Sequence, residues 1–251
     1  MGNTIYDEKF YKANFEGSYT SARLILPYVI ENVHAQSIVD FGCGSGTWLR
    51  AAREIGLHDV FGVDFGENAS MMQIPMENYR RYDLTQSVDL GRNFDMAISL
   101  EVAEHLPETA AASFVASLCR HADVVLFSAA IPAQGGDNHI NEQWQSYWAK
   151  LFAQEGFEVF DLVRPRFWSE GRIPFWYRQN MLLYVSDKAE SLQQKLKCPR
   201  GGDICIDMVH PLGYATGGMT QEQLRKSIFQ FELEKFKATA KQLGVDLHFN
   251  R

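Results

Sequence analysis

The stretch VDFGCGSGTWL, residues 39–49, most constrains what this chain can fold into. A β-branched apolar run, SIVDF (37–41), stops at Gly42; glycines recur at 44 and 46, and helix-forming residues follow from Thr47. Glycine lets the backbone turn tightly and approach a ligand with no Cβ in the way. The helix start beyond it offers unpaired N–H groups, a natural seat for a polar ligand. The stretch therefore reads as strand, ligand-holding loop and helix. Its spacing is D-x-G-x-G-x-G, with Asp40 two residues ahead of Gly42. The dinucleotide fingerprint needs Gly or Ala where Thr47 stands, which disfavours a nicotinamide dehydrogenase, the rival on a related fold.

Strand-like and helix-like runs alternate after this loop. DVFGVDF (59–65), FDMAISL (94–100) and DVVLFSA (123–129) are apolar strand patterns; TWLRAAREIG (47–56) and PETAAASFVASLCRHA (107–122) are helical. FEVFDLV (157–163) and NMLLYVS (180–186) close one edge, for about seven strands in all. Such alternation implies βαβ units and an α/β fold with a mostly parallel sheet. Residues 1–36 read as helical, YDEKFYKAN and then SYTSARLILPYVIENV, a cap for the sheet or the ligand pocket. The expected division is a domain over 1–186 and a C-terminal extension over 187–251. The extension carries one long helix over 220–243, with Thr220 as N-cap and Gly244 as stop.

Further acids fall at the ends of successive strands. GVDF places Asp64 after the second strand, where a carboxylate can accept from both hydroxyls of a ribose. RRYDLT places Asp83 after a third strand, and FDMAISLEVAEHLP ends the fourth. In this order the four signals resemble the class I S-adenosylmethionine-dependent methyltransferases over about residues 35–186. The resemblance implies a Rossmann-like seven-stranded sheet with the last strand antiparallel, and S-adenosylmethionine as cofactor. Carried over by position, Asp40, Gly42, Gly44 and Gly46 would cradle the methionine part. Asp64 and Phe65 would take ribose and adenine, Asp83 and Leu84 the adenine edge, and Leu100 would line the pocket by its backbone. Cys43 reads as an incidental loop residue.

LEVAEHLP carries Glu101, Glu104 and His105 at i, i+3 and i+4, one face if the segment is helical. Three readings stand: a common way to leave the fourth strand, a base or acceptor contact at His105, and a site for a divalent metal acting as Lewis acid. The turn is similar to the metal-binding turn of small-RNA 2′-O-methyltransferases and ubiquinone-pathway O-methyltransferases. That likeness implies the ligand set Glu101, Glu104, His105 and, from elsewhere, His139.

The fifth strand leads into GGDNHINEQWQSYWAKLF, helical from near Glu142, with Asn138 or Asn141 as cap. Trp148, Leu151 and Phe152 fit core packing at helical spacing, whereas His139 precedes the helix and joins no apolar stripe. In the family this exit faces the transferred methyl group. His139 is the leading catalytic candidate, supported by His105, Glu101 and Glu104. An alcohol nucleophile must lose a proton, and a histidine can take it. Asn141, Trp144, Trp176 and Arg178 are candidate contacts for the acceptor. HINEQW and IPFWYRQNMLLYV also resemble a bacterial branch found among genes for polysaccharide and nucleotide-sugar modification.

That branch implies a small, polar, sugar-like or nucleotide-linked acceptor, and His139 as proton acceptor leans the reading toward O-methylation. The alternatives are an N-methyltransferase on an amino sugar and a non-catalytic methyltransferase-like binding domain; three cofactor carboxylates in register argue against the last. The formal charge of −7, with no cluster of Lys and Arg, argues against nucleic acid as partner. No run is long and apolar enough to span a bilayer. The four cysteines lack zinc spacing, and with no apolar signal core the expectation is a reducing cytoplasm. The apolar positions of 220–243 suit packing on the core or pairing in a homodimer.

Overall fold

The computed structural model describes residues 8–66 and 69–216. One sheet is built from β1 (Ser37–Phe41), β2 (Asp59–Asp64), β3 (Tyr79–Arg81), β4 (Met96–Leu100), β5 (Val124–Ser128), β6 (Phe157–Phe160) and β7 (Leu182–Ser186). The order is β3-β2-β1-β4-β5-β7-β6. Neighbours from β3 to β5 run parallel, and β7 lies antiparallel between β5 and β6. This is the expected α/β architecture, inserted last strand included.

Alternate residues of the inner strands enter two cores. Ile38, Met96, Ile98, Leu126, Leu183 and Val185 face one; Val39, Phe41, Ala97, Val125, Phe127 and Tyr184 face the other. A sheet buried on both faces needs apolar residues at every position, hence the unbroken apolar runs. The first core is roofed by α1 (Glu8–Val33) and α2 (Thr47–Glu54), the second by α3 (Ala111–His121) and α4 (Gln145–Gln154). Two helical stretches were expected before β1, and one continuous helix is found. Its buried stripe Ala22, Ile25, Leu26, Val29 and Val33 offsets the bond that Pro27 removes, at a cost of about 3 kcal/mol.

Beyond β6 come α5 (Arg164–Phe167) and α6 (Phe175–Asn180); beyond β7 come α7 (Glu190–Lys195) and α8 (Pro211–Thr216). Residues 198–210 are strapped to the sheet edge. The Arg164 guanidinium, 1% exposed, pairs with Asp161 at 2.9 and 3.0 Å and donates to the Cys205 and Ile206 carbonyls. Asp207 accepts the Ser146 N–H at 2.8 Å, serving the first turn of α4. The helix expected over 220–243 lies outside the described residues. Among the described residues no helix is long and apolar enough to cross a membrane.

Two local expectations are corrected. The helix after β5 starts at Gln145, not near Glu142, with Trp144 at the N-cap position and no side-chain cap from Asn138 or Asn141. The Ile140 and Asn141 amides are taken by the Glu104 carbonyl at 2.9 and 3.0 Å, which holds that segment outside the helix. The Glu101–His105 stretch is not an α-helical turn. Glu101 has φ of 56°, outside helical geometry, and only Ala103–His105 form a 3-10 turn. Pro107 follows at once and forces Leu106 into extended backbone.

Candidate active site

In an open parallel sheet a ligand binds beyond the carboxyl ends of the strands, where strand order reverses. Here that point lies between β1 and β4, because the chain runs outward through β2 and β3 before returning. The glycine loop leaves β1 and meets the β4 exit directly. A Cβ on Gly42 would fall 2.4 Å from the Val102 side chain, and its φ is +89°, so only glycine fits. Gly44 faces open space, which leaves room for a ligand against its backbone.

The Asp64 carboxylate reaches back from β2 into this loop. It accepts the Gly44 N–H at 2.9 Å and the Gly66 N–H at 2.8 Å. Asp40 is buried beside it, and burial, reinforced by the Asp64 charge, pushes its carboxyl well above the usual range. Burial, with Asp40 and Asp64, also raises the Cys43 thiol, so it is no nucleophile. Phe65 is 61% exposed with the Arg81 guanidinium over its ring at 4.9 Å. Exposed Asp83 accepts the Thr85 N–H and hydroxyl at 3.0 and 2.7 Å, while Leu84 and Leu100 are buried. The expected cofactor residues thus follow the carboxyl ends of four neighbouring strands, in the spatial order β3, β2, β1, β4.

On the far side stand Glu104, His105 and His139, whose ligand atoms lie within 4.8 Å of one another. Glu104 is fully buried and neither carboxylate oxygen has a hydrogen-bond partner. Burial, and then the Glu101 charge, pushes its carboxyl well above the usual range. Burial, and then the His139 charge, lowers the His105 imidazole. The two rings meet edge to face with centroids 4.9 Å apart. An orphaned buried carboxylate beside two imidazoles fits a divalent cation by donor type.

Glu101 falls outside that group. Its carboxylate accepts from Asn180 Nδ2 at 3.1 and 3.3 Å and from Gln134 Nε2 at 3.1 Å, while its own N–H donates to Ser128. Burial raises its carboxyl, and the bonds from Asn180, Ser128 and Gln134 oppose the shift. Gln134 and Asn180 carry no sequence signal toward this role. Asn180 lies 79 residues from Glu101, so only the fold pairs them.

The loop after β5 is closed by Glu142. Its carboxylate accepts the Ala133 N–H at 2.7 Å and the Gly135 N–H at 2.9 Å, and contacts His139 Nδ1 at 3.0 Å. Burial opposes ionisation of Glu142, but the bonds from His139, Ala133 and Gly135 outweigh it and hold the carboxyl below the usual range. The i, i+3 spacing of His139 and Glu142 was the signal available for this partnership. Of the other acceptor candidates, Asn141 is buried with Nδ2 unpaired, and its Oδ1 accepts from Gln143 at 3.0 Å. Trp144 and Trp176 are half-buried. Arg178 is buried, donates to the Trp168 carbonyl at 2.9 Å and keeps Nε unpaired, so it is no exposed platform residue.

A family model described as a methyltransferase domain matches residues 18–168. A ribosomal protein L11 methyltransferase of Laribacter hongkongensis is 32% identical over 97 residues, covering 36% of this chain and 32% of that protein. The chain thus spans about a third of the length of this curated relative. Among solved structures, the sugar N-methyltransferase KedS8 of Streptoalloteichus superposes with a TM-score of 0.55 at 16% identity, covering 74% of this chain and 95% of that one. The magnesium protoporphyrin IX methyltransferase of Synechocystis with bound SAM gives 0.52 at 21% identity, covering 74% and 86%. Both likenesses concern the fold.

Proposed function

This chain belongs to the methyltransferase-domain family, and we propose that it transfers a methyl group from S-adenosylmethionine to a small polar acceptor. The observation that carries this reading is the Asp64 carboxylate at 2.9 Å from the Gly44 amide. It brings the acid of the second strand to the glycine loop of the first, where ribose and methionine parts of one ligand can be held together. Bound there, S-adenosylmethionine supplies a methyl group on positively charged sulfur, already activated for in-line displacement.

The chain's own work is to place and unprotect the nucleophile. Asp40, Gly42, Gly44 and Gly46 hold the donor's methionine part, Asp64 and Phe65 its ribose and adenine, and Asp83 and Leu84 the adenine edge. His139 stands across the crevice as the group that takes a proton from an acceptor hydroxyl. His105 packs against it, and Glu101 lines the same exit. The sugar-like acceptor is supported by the likeness of HINEQW and IPFWYRQNMLLYV to a branch found among genes for polysaccharide and nucleotide-sugar modification. An amino sugar is the second acceptor considered, since the superposed KedS8 is named a sugar N-methyltransferase.

In the second reading of the site, Glu104, His105 and His139 would instead hold a divalent metal, which would act as a Lewis acid on the acceptor hydroxyl in place of His139 as base. Two experiments test the proposal. Labelled methyl from S-adenosylmethionine is offered to paired hydroxy and amino sugars and their nucleotide conjugates; transfer to the hydroxy member is expected, and none to any member overturns the reading. Full turnover after chelation, with no heat on titrating Mn²⁺ into the protein, would remove the metal.

A further inference from the structure

We propose that Glu142 is a positioning residue: it fixes His139 in the tautomer that carries its proton on Nδ1 and leaves Nε2 with its lone pair. The use made of that lone pair rests on the reading of His139 above, whereas the tautomer rests on the bonds around Glu142, whose two oxygens both already accept backbone N–H groups. An ionised carboxylate can only accept hydrogen bonds, so a 3.0 Å contact with Nδ1 requires a proton on Nδ1. The opposite tautomer would set a lone pair against that oxygen.

Glu142 cannot turn aside to avoid the contact. Its Oε2 is pinned by the Ala133 N–H at 2.7 Å and its Oε1 by the Gly135 N–H at 2.9 Å. The loop adopts left-handed backbone at Ala133, Gly135, Gly136 and Asn138 to bring these amides round. At Ala133 and Asn138, which carry a Cβ, such a conformation persists only where surrounding contacts hold it.

The ring is seated as firmly as its proton. A Cβ on Gly136 would lie 2.3 Å from His139 Nε2 and 2.4 Å from Cε1, so the missing side chain makes the space the imidazole occupies. The His105 ring closes a further side at 4.9 Å between centroids. A carboxylate behind a histidine sets the tautomer and raises the basicity of the opposite nitrogen, whether that nitrogen takes a proton or binds a metal.

The experiment is ring ¹⁵N spectroscopy of metal-free, histidine-labelled protein near pH 8, with His139→Gln assigning the signals. The expected wild-type spectrum shows His139 Nδ1 protonated and Nε2 bare. The share protonated on Nε2 should rise about tenfold in Glu142→Leu, the weight of one charge-assisted hydrogen bond, and by less in Glu142→Gln. Glu142→Gln keeps one oxygen, enough for one of the two loop amides, and so removes less than Glu142→Leu; it decides the matter if Glu142→Leu does not fold. A wild-type proton on Nε2, or a tautomer ratio unmoved in Glu142→Gln, overturns the proposal. If the tautomer is as stated but His139→Gln transfers methyl normally, Glu142 keeps its role and the reading of His139 as acceptor contact fails.

Discussion

The His139 imidazole stands edge-on to that of His105, centroids 4.9 Å apart, with the buried Glu104 carboxylate beside them. These rings come from the exits of β4 and β5, neighbours in the sheet. Replacing His139 by Ala should cut methyl transfer by about a hundred- to ten-thousand-fold, the usual weight of a general base. Affinity for S-adenosylhomocysteine should stay within about twofold, because His139 is not among the proposed donor contacts. Turnover and calorimetry on the same preparation check both halves.

Gly136 should tolerate no side chain. Its φ of +152° is rare for L residues, and a Cβ would enter the His139 ring. Gly136→Val should lose about 1–3 kcal/mol of stability and most of the transfer rate, with donor binding intact. Full activity in a folded Gly136→Val protein would show that the seat of the ring does not matter.

Asp40 sets a pH dependence. Its folded carboxyl is raised above the ordinary value of 3.8, by burial first and Asp64 second. Between the ordinary and the raised value the folded protein keeps a proton that the unfolded chain has released. Stability of the ligand-free protein therefore falls as pH rises through that window and levels off above it. Asp40→Asn should flatten the curve and raise stability at neutral pH, while weakening donor binding. Urea titrations across pH 4–8 would show it, and a variant with the wild-type slope would count against the assignment.

Arg164 ties residues 198–210 to the body through the Asp161 ion pair and two carbonyls. Arg164→Leu leaves Asp161 buried and unpaired, a loss of about 3–5 kcal/mol and a fall in Tm on the order of 10 °C. Thermal unfolding followed by circular dichroism measures it, and a drop of only a degree or two would mean that the strap contributes little.

The sheet was legible because its signals are local: β-branched runs, period, and glycines at a strand end. The meeting of the β4 and β5 exits also follows from sequence, since an open parallel sheet brings neighbouring exits together. What remained hidden depends on contacts between distant residues or on single backbone angles. The left-handed φ at Glu101 turned a supposed helix face into a 3-10 turn and sent that carboxylate to Asn180 rather than to the histidines. The Glu142 clasp was half visible, as an i, i+3 pair, but the two backbone amides that lock it were not. Arg178 was a candidate acceptor contact in the sequence and is buried, its guanidinium donating to the Trp168 carbonyl.

The most direct test is calorimetric titration of S-adenosylhomocysteine into the wild-type protein and Asp64→Ala. The account expects saturable binding that weakens by at least about tenfold in the variant, the loss of charge-assisted bonds to ribose hydroxyls. No binding to wild type, or equal affinity in Asp64→Ala, would contradict it.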